Sequence, residues 1–129
     1  MASISILQFK KEAKDYHQER LERKENAIKE HINFILGTTT YPLTEENLPL
    51  IFKDKIHELA DIHSLQINIY SLKGKLLKSS KASFSIDTIA PPIPNYVLRL
   101  VQSSMEKRYV DIQNIDGKKY RSSFSQVKD

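Results

Sequence analysis

Leu65-Gln66-Ile67-Asn68-Ile69-Tyr70-Ser71-Leu72-Lys73-Gly74-Lys75-Leu76-Leu77-Lys78-Ser79 is the stretch that decides the fold class. Leu65, Ile67 and Ile69 alternate with Gln66, Asn68 and Tyr70, the period of a half-buried strand. Leu72-Lys73-Gly74-Lys75 makes the turn and Leu76-Leu77-Lys78-Ser79 returns, which reads as a β-hairpin. A second hairpin follows further along. Arg108–Gln113 is strand-like, Asp116-Gly117 is a strong two-residue turn, and Tyr120–Val127 runs back.

Around the hairpins the pattern is helical. Residues 4–36 contain no Gly or Pro and read as one long helix ended by Gly37. Its section from Lys10 to Glu30 is dense in strong helix formers. Glu12, Glu19, Glu22 and Glu25 stand near Lys and Arg at three- and four-residue spacing, as on a solvated surface. Phe9, Ala13, Tyr16, Arg20, Arg23 and Ala27 form a thin heptad seam. The apolar face strengthens at Ala27, Ile28, Ile32, Phe34, Ile35 and Leu36. The short apolar start Ser3–Phe9 reads as the beginning of that helix or the end of a longer apolar segment. A second helix is expected over 45–63, with Thr44 as its cap, Glu45 and Glu46 in its first turn and Pro49 near its start. Residues 80–92 read as a Ser-rich loop ending Ala90-Pro91-Pro92. Ile93–Lys107 reads as a third helix, with Val97, Leu98, Val101 and Met105 on one face.

Helix, helix, hairpin, helix, hairpin is an α+β order, an antiparallel sheet covered by helices. It makes one domain over residues 1–129, with a stalk and core helix at 4–36 and an α/β body at 44–129. Four strands are legible, and the sequence is expected to stop one strand short of a complete sheet.

Composition closes off several functions. The absence of Cys removes a disulfide scaffold, a Cys-ligated zinc site and a thiol nucleophile. Three glycines leave none for a phosphate-cradling loop. There is no run of about 18 apolar residues to span a membrane. The net charge of +4 is unevenly spread. Residues 1–64 carry nine basic and eleven acidic groups, and residues 65–129 carry eleven and five. His57 and Asp61 have a helical metal-pair spacing with His63 close by, but a helical His–Asp pair alone is more often a surface contact. No nucleophile elbow accompanies the Ser, His and Asp residues. The fragment therefore reads as non-enzymatic, with no cofactor and no metal site.

The charged stem Phe9-Lys10-Lys11-Glu12-Ala13-Lys14-Asp15-Tyr16-His17-Gln18-Glu19-Arg20-Leu21-Glu22-Arg23-Lys24-Glu25 resembles the segment just outside the first membrane helix of bacterial sensor histidine kinases. Ile51–His63 and Ile67–Ser80 resemble the same group, and their aliphatic strand, Lys-Gly turn and Leu-Leu return are similar to the start of the sheet in extracytoplasmic PAS-like (PDC-type) sensor domains. The resemblance implies a long N-terminal helix and a second helix on a central antiparallel sheet of four to five strands. It also implies a stimulus-sensing domain on the periplasmic side of an inner-membrane two-component kinase. Such a domain is a homodimer through its N-terminal helix and signals to a cytoplasmic kinase that lies elsewhere in the protein.

In such sensors the ligand lies against the sheet. By that analogy Tyr70, Tyr109, Tyr120, Arg121 and Ser123 are the candidate ligand-binding residues. Strand alternation sends Tyr120 to one face and Arg121 and Ser123 to the other, so the five cannot line one pocket. Arg108, Tyr109, Lys118, Lys119, Tyr120 and Arg121 also interleave bases with aromatics. The alternative reading is therefore a soluble nucleic-acid-binding module using the basic C-terminal half.

Overall fold

The computed structural model describes residues 3–12, 18–80, 93–104, 108–115 and 117–128. Its elements are β1 (Ser3–Glu12), α1 (Gln18–Thr38), a short 3-10 turn (Glu45–Asn47), α2 (Leu48–Ile51), α3 (Lys55–His63), β2 (Gln66–Tyr70), β3 (Leu76–Ser79), α4 (Asn95–Ser103), β4 (Arg108–Ile115) and β5 (Lys118–Lys128). The expected loop at 81–92, with Pro91-Pro92, lies outside the described residues, as do Ala13, Tyr16 and Met105.

The five strands form one antiparallel sheet in the order β3-β2-β1-β5-β4. This is the α+β class that the hairpins imply. The N-terminus differs from the expected helix over 4–36. Residues 3–12 are the central strand, paired with β2 from Ile6↔Tyr70 to Lys10↔Gln66 and with β5 from Ser3↔Lys128 to Glu12↔Tyr120. A physical reason lies in Ile6-Leu7. A strand flanked on both sides and covered on both faces buries consecutive apolar residues. Ile6, Leu7 and Phe9 are at most 1% exposed. The fifth strand, expected beyond residue 127, is instead Ser3–Glu12. Phe9, the first residue of the expected heptad seam, is buried in the sheet and unavailable to a helical interface.

Odd-numbered residues of β1, β2 and β5 face α1, α2 and α3. Leu7, Phe9, Ile67, Ile69 and Val127 pack there with Ile28, Ile32, Ile35, Leu36 and the α2–α3 residues Phe52, Ile56 and Leu59. The opposite face is covered by α4, where Ile6, Tyr70 and Phe124 meet Ile93, Val97, Leu98 and Val101. The expected helix over 45–63 is interrupted at residues 52–54. Ile51 and Phe52, at the start of the break, are both buried. On α1 the sheet-facing residues are Glu25, Ile28, Ile32, Ile35 and Leu36, whereas Ala27 and Phe34, expected on the apolar face, are exposed.

The first hairpin is pinned at Gly74. Its φ is +93°, its N–H donates to Ser71 O at 2.9 Å, and its carbonyl accepts from Ile93 N at 3.0 Å. A Cβ there would meet Ile93 O at 3.2 Å and Leu98 Cδ1 at 3.3 Å. Gly74→Ala combines a disfavoured φ with a tight contact and should cost about 1–3 kcal/mol, read as a lowered urea midpoint at unchanged slope.

Candidate functional site

Two polar clusters lie on opposite faces of the sheet, and β5 contributes to both. Beneath α1, alternation on β5 presents Arg121, Ser123, Ser125 and Val127 in a column. Arg121 is 2% exposed and Ser123 is fully buried. Glu25 of α1, itself 2% exposed, closes the column at one end. Its Oε1 accepts a short hydrogen bond from Arg121 Nη1, and its Oε2 accepts from Arg108 Nη2 at 3.0 Å. Arg108 Nη2 also lies 3.9 Å from Glu22 Oε1. A carboxylate expected on a solvated surface is therefore the buried tie between α1 and two strands.

The tie is incomplete. Among the described residues, Arg121 Nε and Nη2 and the hydroxyls of Ser123 and Ser125 have no hydrogen-bond partner. Each buried unpaired polar group costs roughly 1–3 kcal/mol. The seam between α1 and the sheet thus carries unsatisfied polarity along much of its length. At its other end it opens into a cavity of about 430 Å³, walled by Leu7, Ile32, Leu36, Leu43 and Val127 and reaching Ser125.

On the α4 face, a polar row crosses four strands. Ser79 Oγ donates to Asn68 Oδ1 (2.5 Å), and Asn68 Nδ2 donates to Gln8 Oε1 (2.8 Å). Gln8 Nε2 donates to Ser122 Oγ (3.2 Å), and Tyr70 OH donates to Gln8 Oε1 (3.1 Å). All five residues are buried. The period-two pattern at Gln66-Asn68-Tyr70 implies a solvent face, but the structure buries Asn68 and Tyr70.

Burial raises the Tyr70 phenol above its ordinary value near 10. A group whose proton is held more tightly in the folded state stabilises fully below the unfolded value and loses that contribution as pH rises through the folded one. The urea midpoint should therefore fall as pH climbs above about 10, and less steeply in Tyr70→Phe than in the parent.

The five candidate residues are divided as alternation requires. Tyr70 and Tyr109 belong to the α4-side cluster. Tyr120 is on the same face near the far end of β5, with Lys10 Nζ 5.3 Å from its ring centroid, a cation–π distance. Arg121 and Ser123 are under α1. The residues that organise these clusters but were not among the candidates are Gln8, Glu25, Asn68, Ser79, Arg108 and Ser122. Of the helical His pair positions, His57 places Nδ1 3.2 Å from Ser80 O. No protein-family model, curated protein or solved structure matches the chain.

Proposed function

We propose that this chain is the stimulus-sensing, extracytoplasmic domain of a membrane-bound sensor histidine kinase. The observation that carries the reading is the buried tie of α1 to β5, the strand whose last residues pair with the start of β1. Ser3 opens β1 directly opposite Lys128 near the end of β5, and Arg121 of the same β5 holds Glu25 of α1. Any flanking segments leave side by side from one end of the sheet, on two neighbouring inner strands. A displacement of α1 on the sheet is then coupled, through β5, to the place where membrane-spanning segments would attach. A second arrangement of α1 that pairs the unsatisfied buried polar groups beneath it would give the two-state element that signalling needs.

Among the described residues no helix is long and apolar enough to cross a membrane, so the spans this reading requires belong to flanking sequence. Homodimerisation belongs to the proposal and is assigned to the outer stripe of α1. Arg23, Ala27 and Phe34 are exposed there, opposite the sheet-facing residues. Arg108 and Arg121, two of the cations in the nucleic-acid alternative, turn toward Glu25 instead of presenting a free basic stripe.

The test is made on the full-length receptor. Flanks with two apolar spans of about 20 residues and a downstream kinase core are expected, with the Glu25→Gln receptor shifted in basal autophosphorylation. A gene without those flanks, or a receptor whose autophosphorylation ignores substitutions at Glu25 and Arg121, overturns the reading.

A further inference from the structure

We propose that the cavity beneath the C-terminal half of α1 binds a small amphipathic molecule, an apolar body carrying one hydrogen-bonding head. Its volume, about 430 Å³, lies within the roughly 300–1,000 Å³ of small-molecule sites. Five aliphatic side chains, Leu7, Ile32, Leu36, Leu43 and Val127, make most of its wall. Such a wall selects an apolar body.

The second observation is the Ser125 hydroxyl. Ser125 is 4% exposed, lines the cavity, and has no partner for its Oγ among the described residues. That oxygen is itself covered in the structure, so a ligand head reaches it only where the cavity wall yields; the contact would then remove a cost already present in the folded state. Lys29 and Asn33 of α1, with Gln126 of β5, complete the polar part of the lining. They suit a head that accepts hydrogen bonds, neutral or anionic.

Because the cavity lies between α1 and β1–β5, its occupant wedges the same helix that Glu25 ties down four residues before Lys29. The site thereby supplies the ligand class that the sensor reading needs. Its test is made on the isolated chain, so that binding can fail or succeed independently of the kinase assignment.

The experiment is an amide-resolved NMR titration with 1-octanol and with octanoate. Saturable shifts are expected at Leu7, Leu36, Ser125 and Val127 with at least one probe. A preference for octanoate assigns an anionic head, and equal binding a neutral one. Ser125→Ala removes an unpaired hydroxyl, so the fold is retained, and it should weaken binding about five- to tenfold. Gly37 lies in the lining, and a Cβ built there meets nothing within 4 Å, so Gly37→Phe fills the mouth without a backbone clash and should abolish binding. Non-saturating shifts with both probes, or shifts that survive unchanged in Gly37→Phe, overturn the site. Undiminished affinity in Ser125→Ala overturns the head contact.

Discussion

Removal of residues 1–12 should leave the remaining chain unfolded. β1 is the strand that joins the β3-β2 pair to the β5-β4 pair, and among the described residues no other strand bridges them. Ile6, Leu7 and Phe9 are among the most buried side chains, distributed over both cores. At about 1.5–3 kcal/mol each for full burial, their loss is comparable to the roughly 5–15 kcal/mol that hold a typical domain together. The deletion also exposes two new strand edges, one on β2 and one on β5. Far-UV circular dichroism and amide dispersion should show a non-cooperative chain. In the intact protein, amides of residues 5–10 should exchange only through global opening. A truncated chain that melts cooperatively would restore the reading of residues 4–36 as one helix, with the sheet complete without them.

Glu25→Ala should destabilise the domain by about 3–5 kcal/mol, because it leaves the buried Arg121 guanidinium without its counter-charge. Arg121 already has two unpaired donors, so no neighbouring group stands ready to take over. The side chain of Arg108 is 22% exposed and can turn to water, so Arg108→Ala should cost about 1 kcal/mol. The double variant Glu25→Leu with Arg121→Met removes both buried charges together and should recover most of the loss. Urea denaturation of the single and double variants reads the coupling directly. Additive losses would mean that Glu25 and Arg121 do not form the tie described here.

The hairpins were legible because their information is local. A period of two, a Gly at positive φ and a returning aliphatic run lie within fifteen residues, and both turns fall where expected, at Gly74 and Gly117. Of the helix expected over 93–107, the part seen as Asn95–Ser103 was legible for a similar reason, its apolar face repeating through Val97, Leu98 and Val101. The role of Ser3–Glu12 was not local. Nothing in that segment distinguishes an apolar helix start from a strand until the slot between β2 and β5 is known. Glu25 was hidden in the same way. In sequence it is one of several acids among Lys and Arg, and only docking of α1 brings two arginines from β4 and β5 against it. Asn68 and Tyr70 read as solvent-facing because alternation marks which residues share a face, without saying whether the second face is covered. The split of Tyr120 from Arg121 and Ser123 needed only alternation, and the structure places them accordingly.

The pairing of Ser3 with Lys128 has a mechanical consequence. A load pulling the two ends of the domain apart acts across the β1–β5 pair at its open end. Antiparallel hydrogen bonds lie perpendicular to the strands, so such a load meets them one after another instead of all at once. The pair unzips from the end nearest Ser3 toward Arg121. A modest pull would peel the first rungs long before it reached the Glu25 contact, making the domain compliant at its base and stiff beneath α1.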